Sequence, residues 1–303
     1  MSHRDHGPGY IEPERFAQVR ERRASDPGAI AEAHAGRTRR PVLGDNGRLF
    51  IIAADHPARG ALGVGADSMA MADRYDLLDR LALALSRPGV DGVLATADII
   101  DDLALLGVLD DKVVVGSMNR GGLRGASFEL DDRFTGYDID GIVRDRLDFA
   151  KSLLRVDLQD PASVATISAT AAAVSAAAAA GVPIMIEPFM SSRRDGVTVN
   201  DLTTNAVITS VAIASGLGTS SAYTWMKLPV VDEMERVMAA TTLPTLLLGG
   251  ERADDPAATY ASWKRALGLP GVRGLVVGRT LVYPPDGDVT RAVDTAAALV
   301  HDA

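Results

Sequence analysis

The chain contains no cysteine, which excludes disulfides, thiolate metal sites and a cysteine nucleophile. Aromatic residues make up only 5% of it. The longest weakly apolar run, residues 169–182, is mostly alanine and is too short and too mildly hydrophobic to cross a bilayer. The N-terminus lacks the apolar segment of a secretory signal. We therefore expect a soluble, cytoplasmic protein that does not engage membranes.

Lysine is also scarce, because only four of the 31 basic residues are lysines: Lys112, Lys151, Lys227 and Lys264. Lys227 lies inside the apolar run Tyr-Thr-Trp-Met-Lys-Leu-Pro, residues 223–229. A desolvated lysine, unlike arginine, can lose its proton and attack a carbonyl carbon. The pattern makes Lys227 a candidate nucleophile. The alternative is a strand-end lysine whose ammonium group reaches water.

The charge balance limits the partners of the protein. A net charge of −9 and a pI near 5.1 argue against nucleic acid as a general partner. An anionic ligand must then be held by a local pocket, since the overall field repels it. The 47% hydrophobic content over 303 residues is enough for a large core.

From residue 48 the chain repeats one plan eight times: an apolar run, a polar or glycine-containing turn, and a helical segment. The predicted strands are Leu49–Ala54, Gly92–Thr96, Lys112–Ser117, Phe149–Val156, Pro183–Glu187, Tyr223–Leu228, Thr245–Leu248 and Gly274–Val277. Strands this apolar, separated by helices, indicate a parallel sheet covered by helices. Eight units in about 250 residues predict an α/β fold, the (β/α)₈ TIM barrel. An open doubly wound sheet is the alternative, although no Gly-x-Gly-x-x-Gly follows the first predicted strand.

Two domains are expected. Residues 1–45 form a helical N-terminal extension, with helices near 12–23 and 26–35, that packs on the outside of the main body or on a partner subunit. Residues 46–303 form the barrel, which is the catalytic domain. Asp160-Pro161, Asn200-Asp201 and Asp255-Pro256 are helix-start signals within it.

Charged residues occur where a barrel would direct them inward. The active site of a TIM barrel lies at the carboxyl ends of its strands, and alternate side chains point into the lumen. Because a buried charge is costly unless it is paired or used, the inward charges predict a catalytic site. These are Asp55, Lys151, Glu187 and Lys227, with Arg59 and Arg155 as further candidates for substrate binding.

Glycines end the last two predicted strands. Gly249-Gly250 and Gly278-Arg279 would let backbone N–H groups and a guanidinium face a phosphate, which barrel enzymes commonly bind at this place. The alternative is that the glycines only make strand-to-helix turns. The long loop after the third predicted strand, residues 119–137, is either a lid over the site or an ordinary flexible loop.

These motifs together resemble the class I aldolase superfamily, which holds the deoxyribose-phosphate, tagatose-bisphosphate and archaeal-type fructose-bisphosphate aldolases. The resemblance covers residues 48 to about 283 and is carried by Ala-Asp-His, Ala-Lys-Ser-Leu-Leu, Ile-Glu-Pro, the lysine of the sixth strand, Gly-Gly and Val-Gly-Arg. It is nearest to a branch associated with inositol catabolism. The chain departs from the pattern in His56-Pro57-Ala58-Arg59, in Thr280-Leu-Val-Tyr-Pro-Pro and in its longer third-strand loop.

The resemblance implies a Schiff-base lyase that acts on a phosphorylated keto-sugar or keto-acid. Lys227 would form the Schiff base, although an exchange of roles with Lys151 stays open, and Glu187 would be the acid/base group. Burial and the like charge of Lys151 would favour the neutral amine. No cofactor or metal is expected, and the protein is expected to be a homo-oligomer. The alternatives are a metal-dependent aldolase, a phosphosugar isomerase or epimerase, and a non-catalytic sugar-phosphate-binding barrel.

Overall fold

In a computed structural model, which describes residues 9–119, 122–249 and 256–302, eight parallel strands close into a barrel. The barrel strands are β1 (Leu49–Ala53), β2 (Gly92–Ala95), β3 (Val113–Ser117), β4 (Phe149–Val156), β5 (Ile184–Arg194), β7 (Thr224–Pro229), β8 (Thr245–Leu248) and β9 (Val272–Val277). Pairing of β1 with β9 and of β4 with β5 completes the ring. The predicted TIM barrel and its eight strands are confirmed.

The fifth barrel strand differs from its prediction. It continues well past Glu187 and turns back at Asp195-Gly196 into a ninth strand, β6 (Val197–Asn200), which pairs with it antiparallel outside the ring. The helix start predicted at Asn200-Asp201 is therefore wrong, because Asn200 ends this hairpin. The next helix begins at Thr204, and the side chain of Thr203 caps it.

The helices surround the barrel on its outer face. They are α1 (Pro13–Ser25), α2 (Gly28–Gly36), α3 (Arg74–Ser86), α4 (Ala97–Leu105), α5 (Ile139–Arg144), α6 (Ala162–Ala180), α7 (Thr204–Ser215), α8 (Met234–Met238), α9 (Pro256–Leu267), α10 (Arg279–Val282) and α11 (Val289–His301). By length and composition alone α6 could cross a membrane. In the structure it is an outer barrel helix that packs against β4 and α5.

The N-terminal extension packs on the barrel through its two helices. Phe16 of α1 is buried and meets Tyr75 of α3 edge to face, with ring centroids 5.2 Å apart. Arg23 donates to Asp102 of α4 at 2.6 Å, and α2 also contacts α4. Both helices therefore lie over α3 and α4, on the outside of the barrel.

The segment that follows, residues 37–43, reaches the amino-terminal mouth of the barrel. Val42 and Leu43 pack against the apolar cluster inside the ring. Arg37 lies 3.2 Å from the buried carboxylate of Asp148 and donates to the carbonyl oxygen of Lys112 at 2.8 Å. The same carboxylate accepts from the amide of Val114, so the extension is joined to the start of the barrel strands.

We expect the Arg37→Ala variant to lose about 3–5 kcal/mol of unfolding free energy, because it removes one partner of a buried ion pair. The Arg39→Ala variant is a matched control. Arg39 Nε lies 2.7 Å from the same Asp148 carboxylate, but the Arg39 side chain is 44% exposed. That variant should lose only about 0–1 kcal/mol. Urea unfolding measures both values, and equal losses would contradict the assigned burial.

Candidate active site

The interior of the barrel has an apolar layer with a charged layer above it. Phe149, Met185 and Trp225 occupy inward positions of β4, β5 and β7, and the ring of Trp225 meets that of Phe149 edge to face at 5.3 Å. Two residues further along each strand the side chain again points inward. At these positions stand Lys151, Glu187 and Lys227. The apolar layer thus forms a floor that keeps water from reaching the charges from below.

The four charged residues predicted to be catalytic are brought together in one buried cluster, the charged tetrad: Asp55, Lys151, Glu187 and Lys227. Lys227 Nζ donates to Glu187 Oε1 at 2.7 Å. Lys151 Nζ lies 2.6 Å from Glu187 Oε2 and 3.3 Å from Asp55 Oδ2. The charges therefore alternate along the tetrad, and Glu187 bridges the two lysines.

Ser117 is a further member of the site that the sequence analysis missed. Its hydroxyl donates to Asp55 Oδ2 at 2.9 Å from a buried position at the end of β3. Ser117 lies two residues after the inward-facing Val115 on β3, so the alternation of side chains along the strand would have predicted it. His56 Nδ1 lies 3.8 Å from Asp55 Oδ1, so the carboxylate has neighbours on both oxygens.

The two lysines differ in burial. The side chain of Lys151 has no exposed surface and contacts both carboxylates of the charged tetrad, whereas that of Lys227 is 5% exposed and contacts Glu187. Lys151 is thus enclosed by its ion pairs. Lys227 stands at the end of the tetrad and keeps a small exposed surface.

The predicted phosphate glycines have a packing role at the barrel mouth. A Cβ atom on Gly278 would lie 2.1 Å from the carbonyl oxygen of Ala53, and one on Gly249 would lie 2.5 Å from a methyl group of Val277. Both glycines therefore allow neighbouring strand ends to approach closely. Gly250 lies outside the described residues.

Arg279 lines a cavity of about 420 Å³ beside these strand ends. Residues 60–68, which follow β1, are called the β1 loop below. The cavity is bounded by Arg124 from the loop after β3 and, from the β1 loop, by Gly60, residues 62–66 and Ser68. Arg279 Nη1 donates to the carbonyl oxygen of Gly63 at 3.5 Å. The sequence analysis did not single out Arg124.

The structure gives Arg155 and Arg59 protein partners. The buried guanidinium of Arg155 donates to both carboxylate oxygens of Asp132, at 2.6 and 2.8 Å, and lies 3.6 Å from Glu129. Arg59 Nη1 lies 3.5 Å from the same Glu129. The geometry therefore joins these arginines, expected to bind substrate, to the loop after β3.

Solved structures of class I aldolases share this fold. An archaeal fructose-1,6-bisphosphate aldolase with its catalytic lysine bound to a carbinolamine intermediate matches with a TM-score of 0.63 and 18% identity, covering 90% of this chain and 99% of the other. A fructose-bisphosphate aldolase from Slackia heliotrinireducens matches with a TM-score of 0.62 and 14% identity, covering 97% of this chain and 90% of the other. The chain thus has the TIM-barrel fold of these aldolases.

The chain belongs to the Cgl0159-like family, whose model matches residues 47–297. The crystal structure of Cgl0159 from Corynebacterium glutamicum is similar to it, with 65% identity and a TM-score of 0.96 over 97% of this chain and 99% of the other. No curated protein matches the chain.

The tetrad geometry predicts different costs for removing each lysine. The Lys151→Met variant should lose about 3–5 kcal/mol of unfolding free energy, because two buried carboxylates lose a shared cation. The Lys227→Met variant should lose clearly less, because Glu187 keeps Lys151. Urea denaturation of both variants tests this order, and a larger loss for Lys227→Met would refute it.

Proposed function

We propose that the protein is a class I aldolase in which Lys227 forms a Schiff base with the ketone of a phosphorylated substrate. The observation that carries the proposal is the bridging position of Glu187, 2.7 Å from Lys227 Nζ and 2.6 Å from Lys151 Nζ. A nucleophilic amine and a proton carrier are therefore in contact before substrate arrives. Hydrogen-bond contact between nucleophile and base is the geometry that covalent catalysis requires.

In the first step Glu187 accepts a proton from the ammonium group of Lys227. The neutral amine attacks the ketone carbon, and the attacking nitrogen gives up a proton to the ketone oxygen, which yields a neutral carbinolamine. Glu187 then protonates the carbinolamine hydroxyl, which leaves as water, and the nitrogen lone pair forms the iminium bond. A carboxylate in this position speeds proton transfer by about 10²–10⁴-fold.

In the second step the iminium withdraws electrons from the neighbouring carbon–carbon bond. Asp55 accepts the proton of the hydroxyl two carbons from the iminium carbon, the bond breaks, and an aldehyde leaves. The bond's electron pair forms the carbon–carbon double bond of an enamine, and the electron pair of the C=N double bond becomes the lone pair of the nitrogen. Protonation of the enamine and addition of water then release the second product and free Lys227.

Lys151 acts here as a positioning residue. It contacts Glu187 and Asp55 at once, so it holds the two proton carriers on either side of the reacting atoms.

For the substrate we propose a phosphorylated keto-sugar or keto-acid, with 6-phospho-5-dehydro-2-deoxygluconate of inositol catabolism as the first compound to test. The resemblance of the motifs and the aldolase fold support this choice. The cytoplasmic location, the homo-oligomeric state and the barrel's role as the catalytic domain stay predictions.

Borohydride reduction tests the Schiff base directly. The protein is incubated with dihydroxyacetone phosphate, reduced and digested, and peptide mass spectrometry locates the adduct. We expect the adduct on Lys227 and a loss of activity of about a thousandfold or more in Lys227→Arg, because the nucleophile is removed.

An unmodified Lys227, together with full activity of Lys227→Arg, would refute the proposal. An adduct on Lys151 would exchange the roles of the two lysines. Turnover that a chelator abolishes would indicate the metal-dependent alternative, and isomerisation of a sugar phosphate without any adduct would indicate the isomerase.

The Asp55→Asn variant separates the two steps. It should still form the borohydride-trapped adduct on Lys227 while carbon–carbon cleavage falls by about 10²–10⁴-fold, because an amide cannot accept the hydroxyl proton. Single-turnover kinetics measure cleavage and mass spectrometry measures the adduct. Unchanged cleavage would remove Asp55 from the second step.

A further inference from the structure

Ser117 brings a neutral hydroxyl group into contact with the charged tetrad. The residue is buried, and its hydroxyl donates to Asp55 Oδ2 at 2.9 Å. Lys151 Nζ donates to the same oxygen at 3.3 Å. Two donors of different kinds, a hydroxyl and an ammonium group, therefore meet on one carboxylate oxygen of the residue that accepts a proton in the proposed cleavage step.

The backbone holds Ser117 in a defined place. Ser117 and Lys151 are partners in the parallel register of β3 with β4. The amide of the next residue, Met118, donates to the carbonyl oxygen of Lys151 at 2.9 Å, and the carbonyl oxygen of Ser117 accepts from the amide of Tyr137 at 3.3 Å. The hydroxyl that reaches Asp55 thus comes from a strand end whose backbone is bonded to neighbouring segments.

The distances show that Lys151 and Ser117 hold Asp55 unequally. Lys151 Nζ lies 2.6 Å from Glu187 Oε2 and 3.3 Å from Asp55 Oδ2, so the lysine is held more closely by Glu187. The hydrogen bond from Ser117, at 2.9 Å, is the shorter of these two contacts on Asp55 Oδ2. Because a hydrogen bond weakens as it lengthens, the hydroxyl has the stronger influence on the orientation of the carboxylate.

The two donors also differ in how they respond to the reaction. Glu187 takes up a proton from Lys227 in the proposed first step, so the charge that Lys151 faces on this side changes during turnover. The attraction of Lys151 to its two carboxylates changes with it. The hydroxyl of Ser117 carries no charge, and it continues to donate to Asp55 whichever group of the charged tetrad holds the proton.

We propose that Ser117 is a positioning residue that holds Asp55 for the cleavage step. This inference rests on the proposed function. The hydrogen bond to Oδ2 keeps the carboxylate directed at the substrate hydroxyl two carbons from the iminium carbon. The hydroxyl proton passes to Asp55, the electron pair of the broken O–H bond forms the carbonyl bond of the leaving aldehyde, and Ser117 keeps its own proton throughout.

Single-turnover cleavage of 6-phospho-5-dehydro-2-deoxygluconate by the full-length protein tests the assignment, and fructose 1,6-bisphosphate is the second probe. We expect Ser117→Ala to slow cleavage by about 10- to 100-fold, because a misdirected carboxylate accepts the proton poorly. The yield of borohydride-trapped adduct on Lys227 should stay unchanged, since Schiff-base formation does not use Asp55. Ser117→Thr keeps the hydroxyl and should restore most of the rate. Ser117→Cys keeps the volume with only a weak donor and should cleave as slowly as the alanine variant.

The matched control is Ser152→Ala. Ser152 is buried directly after Lys151 on β4, and the alternation of side chains turns it to the outer face of the barrel, where Ala150 and Leu154 of the same strand pack. Its loss removes a buried serine hydroxyl without touching Asp55, so cleavage should stay unchanged. Equal slowing in Ser117→Ala and Ser152→Ala would overturn the inference, because a general loss of packing would then explain both.

A double-mutant cycle with Asp55→Asn separates positioning from a merely structural role. Because Ser117 acts through Asp55, adding Ser117→Ala to Asp55→Asn should slow cleavage no further. A further slowing by the same factor as in the single variant would refute the inference. If Ser117→Ala cleaves as fast as the unmodified protein, the role of Ser117 fails while the Schiff base stands. An unmodified protein that cleaves neither probe would overturn the proposed function and this inference together.

Discussion

The buried ion pairs between two lysines and two carboxylates are the constraint on which the site depends. Each of these groups would be costly to bury alone, and the alternating contacts through Glu187 cancel their charges inside the ring. An apolar floor of Phe149, Met185 and Trp225 excludes water beneath them. The same contacts that make the charges tolerable also place an amine against a carboxylate, which is the arrangement that Schiff-base chemistry uses.

The periphery of the mouth is built from a second set of ion pairs. Arg155 and Arg59 converge on Glu129, and Arg155 also binds Asp132, so residues 122–137 of the loop after β3 are joined to both β4 and the residues after β1. This arrangement explains why a long, glycine-containing loop keeps a defined position. The buried Arg155 thus holds the loop against strand β4.

Residues 37–43 of the N-terminal extension cover the amino-terminal mouth of the barrel, opposite the charged tetrad. Its arginines meet carboxylates that stand just before two barrel strands, since Arg37 contacts Asp148 and Arg40 contacts Asp91 at 2.5 Å. Each of these carboxylates also accepts from a strand amide. The extension thus stabilises the amino-terminal end of the barrel, opposite the end that holds the charged tetrad.

The sequence alone determined the barrel and the members of its charged tetrad. Strands that are apolar on both faces must be covered by helices, which predicts the barrel. Side chains alternate along a strand with a period of two residues, so the sequence alone placed Lys151, Glu187 and Lys227 together on the inner face. The hairpin β5–β6 was missed because its polar residues carry no apolar run. The tertiary structure decided the pairing: that Glu187 bridges both lysines and that Arg155 binds Asp132. These contacts join residues that are distant in sequence, and which partner an arginine takes depends on how loops from different strands meet.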